Sequence, residues 1–165
     1  MTRMDKIVEN SNAAVMERLQ ALGLDLPAAP HEPIGSFLNA KRVGDFLFIS
    51  GQGPVDTEGR LSVGKVGGDV SAEQAYDDAR LVGVNILAVI LQELGDFSRV
   101  KQVVKLLGMV NAVPDFTQHP AVINGCSDLL YTILGEPGRH ARSAVGVASL
   151  PNNITVEIEA IIEVQ

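Results

Sequence analysis

Apolar positions recur every three to four residues in three stretches of this chain, and the segments between them are short, apolar and rich in β-branched residues. Ala14, Val15, Leu19 and Leu22 predict a short amphipathic helix from about Asn12 to Leu22, stopped by Gly23. Pro27, Pro30 and Pro33 then exclude a helix or a central strand and predict an extended arm. Phe37 to Val43 and Phe46 to Ser50 predict a hairpin around Gly44-Asp45. The glycine-rich stretch from Asp56 to Asp69 reads as a loop with a short strand near Leu61 to Val63. Ser71 and Gln74 have the spacing of a capping box, and a long helix follows to Leu94 with Gly95 as its stop. Val100 to Val110 predicts a buried central strand. Asp115 to Thr117 offers a cap for a second long helix, with Val122, Ile123, Leu129, Leu130 and Ile133 as its apolar stripe and Gly135 as its stop. Ala141 to Ala148 and Thr155 to Val164 predict two strands joined by the turn residues Leu150-Pro151-Asn152-Asn153.

This order of elements predicts an α+β fold: a mostly antiparallel mixed sheet with two long helices packed on one face. A single domain over 1–165 is expected, with 1–33 forming an N-terminal helix and Pro-rich arm. The last strand alternates Val156, Ile158, Ala160, Ile162 and Val164 with Glu157, Glu159, Ile161 and Glu163, so one of its faces is apolar. Two helices cover only one side of such a sheet. The other side meets water or a second copy, and a symmetric oligomer is expected.

Composition narrows the function. Thirteen Lys and Arg against twenty Asp and Glu give a net charge of −7, and no cluster of basic residues suits a phosphate backbone, so no nucleic-acid partner is expected. With 46% hydrophobic and 20% charged residues the chain has a globular composition, and with only 4% aromatics its core rests on Val, Ile, Leu and Ala. The single cysteine, Cys126, cannot close an internal disulfide and fits a reducing compartment. The charged N-terminal residues lack the apolar run of a signal peptide, and no stretch suits a bilayer. A cytoplasmic protein without a membrane partner is expected.

Familiar catalytic motifs are missing. Gly51-Gln52-Gly53 lacks the third glycine of a dinucleotide fingerprint, and Gly64 to Gly68 lacks the Lys-Ser/Thr ending of a P-loop. His31, His119 and His140 are too scattered for a metal site and read as surface histidines; Cys126 reads as a half-buried filler in mid-helix. There remain Arg142 at one strand start and Glu157 on what is expected to be the paired strand. An arginine there presents a fork of donors to a carboxylate, and a glutamate holds a water or moves a proton. The same two residues on adjacent strands also make an ordinary ion pair.

Phe48-Ile49-Ser50-Gly51-Gln52, Ile123-Asn124, the run from Ala141 to Pro151 and Val156-Glu157-Ile158-Glu159-Ala160 resemble the YjgF/Rid family, the reactive intermediate deaminases also known as endoribonuclease L-PSP-like proteins. The resemblance spans about Ile34 to Val164, and the N-terminal extension resembles a longer, divergent branch. It implies a chorismate-mutase-like fold, a homotrimer and a cleft at each subunit interface. It further implies cofactor-independent hydrolysis of enamines and imines to 2-keto acids and ammonia, as in a 2-iminobutanoate/2-iminopropanoate deaminase. On that basis Arg142 grips the substrate carboxylate, Glu157 positions the attacking water, and Ser50, Gly51 and Asn124 line the cleft. Three positions depart from the founding branch: Phe37 stands for a cleft tyrosine, Ala144 for a cysteine and Gly146 for a glutamate. Phe37 removes a hydroxyl donor, and Ala144 changes the cleft floor. A binding protein for a small carboxylate metabolite, without turnover, is the alternative. A ribonuclease fits the acidic balance least.

Overall fold

The computed structural model describes residues 9–165; the first eight residues of the charged N-terminal segment lie outside that range. In chain order its elements are α1 (Asn12–Ala21), β1 (Ala40–Val43), β2 (Phe46–Gln52), α2 (Ala72–Leu94), β3 (Val100–Asn111), α3 (His119–Leu134), β4 (Ala141–Val147) and β5 (Val156–Val164). The strands form one sheet in the order β1-β2-β5-β3-β4. All pairings are antiparallel except β3 with β4, which run parallel because α3 carries the chain back between them. This is the expected α+β architecture. One expectation fails: β4 and β5 are neighbours in sequence, but β3 lies between them in the sheet.

Strand alternation explains where the core sits. Leu47 and Ile49 on β2, Val103, Leu106 and Val110 on β3, and Val156, Ile158, Ala160, Ile162 and Val164 on β5 are buried under α2 and α3. Each such large apolar side chain contributes about 1.5–3 kcal/mol on leaving water. The opposite face leaves Val43, Phe46, Phe48 and Val145 exposed, and it also carries Glu157 and Glu159.

Local signals account for most boundaries. The capping box forms: Ser71 Oγ accepts from Gln74 N at 3.1 Å, and Gln74 Oε1 accepts from Ser71 N at 3.0 Å. Gly95 closes α2 in the left-handed region. No residue of Asp115 to Thr117 caps α3. Gln118 stands at its N-cap and makes no side-chain bond. Pro120 in the first turn has no N–H to satisfy, which lowers the need for a cap. The first hairpin strand begins at Ala40 rather than Phe37, and Phe37 and Leu38 stay exposed. Near Leu61 to Val63 there are only isolated bridges, Val55 to Leu61 and Val63 to Ile154.

The N-terminal helix docks at the C-terminal ends of the two long helices. Asn10 Nδ2 donates to Leu134 O at 3.1 Å, and Arg18 donates to Ile133 O, which supplies partners for two terminal carbonyls of α3. Asn12 Nδ2 donates to Gly95 O at 2.9 Å, just past α2, and its Oδ1 accepts from Phe97 N at 3.0 Å. Val15 and Leu19 are fully buried; Leu22 falls outside the helix and is partly exposed. No helix among the described residues is long and apolar enough to cross a membrane.

Candidate functional site

The residues singled out from the sequence fall into two groups. Arg142 and Ala144 alternate along β4, and in register they stand opposite Leu106 and Gly108 of β3. Leu106 is fully buried in the core, and Gly108 lies against Ile123 of α3, so Arg142 and Ala144 point to the helix-covered face. Glu157 stands opposite Met109, three residues further along β3, and points to the other face. Arg142 and Glu157 are therefore neither on paired strands nor an ion pair. The alternative reading of the two as a salt bridge is corrected by this register.

Around Arg142 the partners are neutral. Its Nη1 donates to Ser127 Oγ at 3.0 Å and its Nη2 to Pro120 O at 3.2 Å. Pro120, Asn124 and Ser127 follow one another at spacings of four and three on α3, so they share one stripe, and Asn124 sits between the two anchors of the guanidinium. No carboxylate lies within ion-pair distance of Arg142 among the described residues.

Ser127 has a second neighbour. Its Oγ lies 2.9 Å from His140 Nε2, while His140 Nδ1 lies 2.7 Å from Gly138 O. A carbonyl only accepts, so Nδ1 carries the proton, and the Nε2 of the neutral ring accepts from the Ser127 hydroxyl. Burial, together with the positive charge of Arg142, holds His140 below the ordinary imidazole range despite its bond to Gly138. His140 is thus half-buried and bonded rather than a free surface residue. Neither it nor Ser127 was legible as part of the site. The available signal was the spacing of His140 and Arg142, two apart at a strand start and so on one face.

His119 also departs from the surface reading. Its ring packs edge-on against Phe116 at 5.3 Å and lies against Gly146, where a side-chain methyl would overlap Nε2. Gly146, one of the departures from the founding pattern, makes room for this ring. Cys126 is fully rather than half buried, and burial pushes its thiol up to about 12, which leaves no thiolate for nucleophilic work.

On the open face, the β2–β5 register shifts between Ile49 and Gln52, so Ser50 and Gly51 form a bulge beside Glu159. Gly51 is needed there for space: the Glu157 carboxylate lies on its Cα, and a methyl group would overlap Oε1. Half-burial and the neighbouring Glu159 push Glu157 above the ordinary carboxylate range. Ser50 and Phe37 line an adjacent groove of about 600 Å³, with Phe48, Lys41, Lys105 and Glu159. Ser50 donates to Leu38 O at 2.7 Å, which ties the segment between the Pro-rich arm and β1 to the groove.

The chain as a whole has close relatives in sequence and fold. A crystal structure of a protein of unknown function from Agrobacterium tumefaciens superposes with a TM-score of 0.87 at 44% identity, covering 93% of this chain and 94% of that one. The Trypanosoma cruzi protein TCP17 is 39% identical over 93% of this chain and 96% of its own length. A 2-iminobutanoate/2-iminopropanoate deaminase from Dermatophagoides farinae is 30% identical over 86% of this chain and 95% of its own. The profile of the YjgF/chorismate mutase-like family, whose description also names an endoribonuclease, matches residues 16–163, and with the fold and the Arg142 and Glu157 strands in place the chain belongs to that family.

Proposed function

We propose that this protein hydrolyses 2-imino acids to 2-keto acids and ammonia, without a cofactor, in clefts between the copies of a homotrimer. The observation that carries the reading is the state of Arg142: its guanidinium is held by Ser127 Oγ and Pro120 O, both neutral, and keeps its full charge for an anion. A 2-imino acid supplies that anion as its carboxylate. Water adds to the C2 of the protonated imine, the C2–N bond breaks, and R–C(=NH2+)–COO− plus H2O becomes R–CO–COO− plus NH4+. The imine is already electrophilic, so orientation and a placed water are the main requirements. Glu157, with its raised affinity for a proton, takes a proton from that water as it adds and returns it to the departing nitrogen.

Because Arg142 and Glu157 face opposite sides of their sheet, a site that uses both draws them from two copies. The exposed Phe46, Phe48 and Val43 of the open face fit such an association. The 30% identity to a deaminase supports the same chemistry.

The test is ammonia release from 2-iminobutanoate generated in situ. Wild-type protein is expected to exceed the uncatalysed rate, and Arg142→Ala to return to it. Equal rates with and without protein, for short and branched imino acids alike, defeat the proposal. One feature favours carboxylate binding without turnover: the Arg142 half is complete within one chain, whereas Phe37 brings no hydroxyl to the other half. In that case pyruvate binding, followed by calorimetry, survives Glu157→Ala and no imine is consumed.

A further inference from the structure

We infer that Ser127 and His140 are positioning residues that aim the Arg142 guanidinium at its anion. The inference rests on the proposed role of Arg142 as the carboxylate receptor and adds the groups that set its direction. The chain of bonds has one consistent polarity. Arg142 Nη1 donates to Ser127 Oγ at 3.0 Å, the Ser127 hydroxyl donates to His140 Nε2 at 2.9 Å, and His140 Nδ1–H donates to Gly138 O at 2.7 Å. Each member has one partner on either side, so the serine hydroxyl cannot rotate away without leaving a donor or an acceptor unmet.

The relay fixes the arginine without neutralising it. A carboxylate in place of Ser127 would hold the guanidinium more tightly but cancel the charge that an incoming anion needs. A serine alone is a weak anchor, since its hydroxyl turns freely. The imidazole removes that freedom, and it does so as a neutral ring, because burial and the adjacent Arg142 disfavour its protonation. Pro120 O takes the second arm of the fork at 3.2 Å, so two of the five guanidinium N–H groups are anchored and three have no partner among the described residues. All three anchors belong to α3 and to the turn that feeds β4, which keeps the device within one chain.

Pyruvate serves as the probe for binding, and 2-iminobutanoate for turnover. Ser127→Ala and His140→Leu are expected to weaken pyruvate about tenfold, the size of one hydrogen bond to a charged group, and to raise KM by a similar factor with a smaller change in kcat. Ser127→Thr and His140→Gln, which restore a hydroxyl and an acceptor, are expected to recover most of the loss. Nitrogen-15 NMR of His140 gives a readout independent of ligand: a neutral ring protonated on Nδ1, whose Nε2 resonance moves on Ser127→Ala and on Arg142→Ala. An Nε2 resonance indifferent to both substitutions, or unchanged pyruvate affinity in Ser127→Ala, overturns the relay. If wild-type protein ignores both pyruvate and the imine, the 2-imino acid reading falls by itself, and the relay is still decided by the Nε2 resonance.

Discussion

Arg142 and Glu157 point to opposite faces of one sheet, with β3 between their strands. A cleft that needs both must take the arginine from one copy and the glutamate from another. Arg142→Ala and Glu157→Gln should each abolish imine hydrolysis alone. Unfolded together in equal amounts and refolded, the two variants should regain about a quarter of wild-type activity, because one interface in four pairs an intact arginine with an intact glutamate. No recovery in a mixed oligomer would place both groups in one chain's site.

Glu157 makes a prediction about stability. Its proton affinity is raised by burial and by Glu159 above the ordinary value of 4.5. Between the ordinary and the raised value the folded chain holds a proton that the unfolded chain has released, so stability from this group is present at lower pH and is lost as pH rises through the raised value. Glu157→Gln removes the effect. Its urea midpoint relative to wild type should therefore climb as pH rises from 4.5 and then level off. A constant difference across that range would mean Glu157 titrates as a free carboxylate.

Gly51→Ala should separate space from backbone effects at the bulge. The methyl group overlaps Glu157 Oε1, so the carboxylate must swing away. Because the overlapped atoms are those of the flexible, half-buried Glu157 side chain rather than backbone, the shift costs at most about 1 kcal/mol, the low end of overpacking. The expected outcome is a lower melting temperature together with loss of imine turnover, while pyruvate affinity, which rests on Arg142, changes little. Full turnover in this variant would remove Glu157 from the reaction.

Local chemistry was readable from the sequence where one short segment supplies both partners. Ser71 and Gln74 cap α2 three residues apart, and the alternation of Val156 to Val164 shows which face is buried. The expected α3 cap does not form because Asp115 and Thr117 lie ahead of a Pro-containing first turn that forms without them. Candidate residues can be picked one by one from the sequence, but not the geometry that relates them. Only a turn separates the Arg142 and Glu157 strands in sequence, which predicts that they pair, whereas the insertion of β3 follows from β4 pairing parallel with a strand that precedes it by a whole helix. Ser127 lies 15 residues from Arg142, on another element, and no local pattern joins the two.

The docking of α1 couples the ends of the two long helices. Asn12 holds the residue that ends α2, while Asn10 and Arg18 hold the last carbonyls of α3, all from one short segment. The two long helices therefore share a lock at one end. When α1 detaches, both ends are freed in the same event, so amide exchange in the last turns of α2 and α3 should follow a common opening step rather than two independent ones. Exchange with one common rate would mark the helix layer, which carries Ser127, as a single cooperative unit closed by residues 10–18.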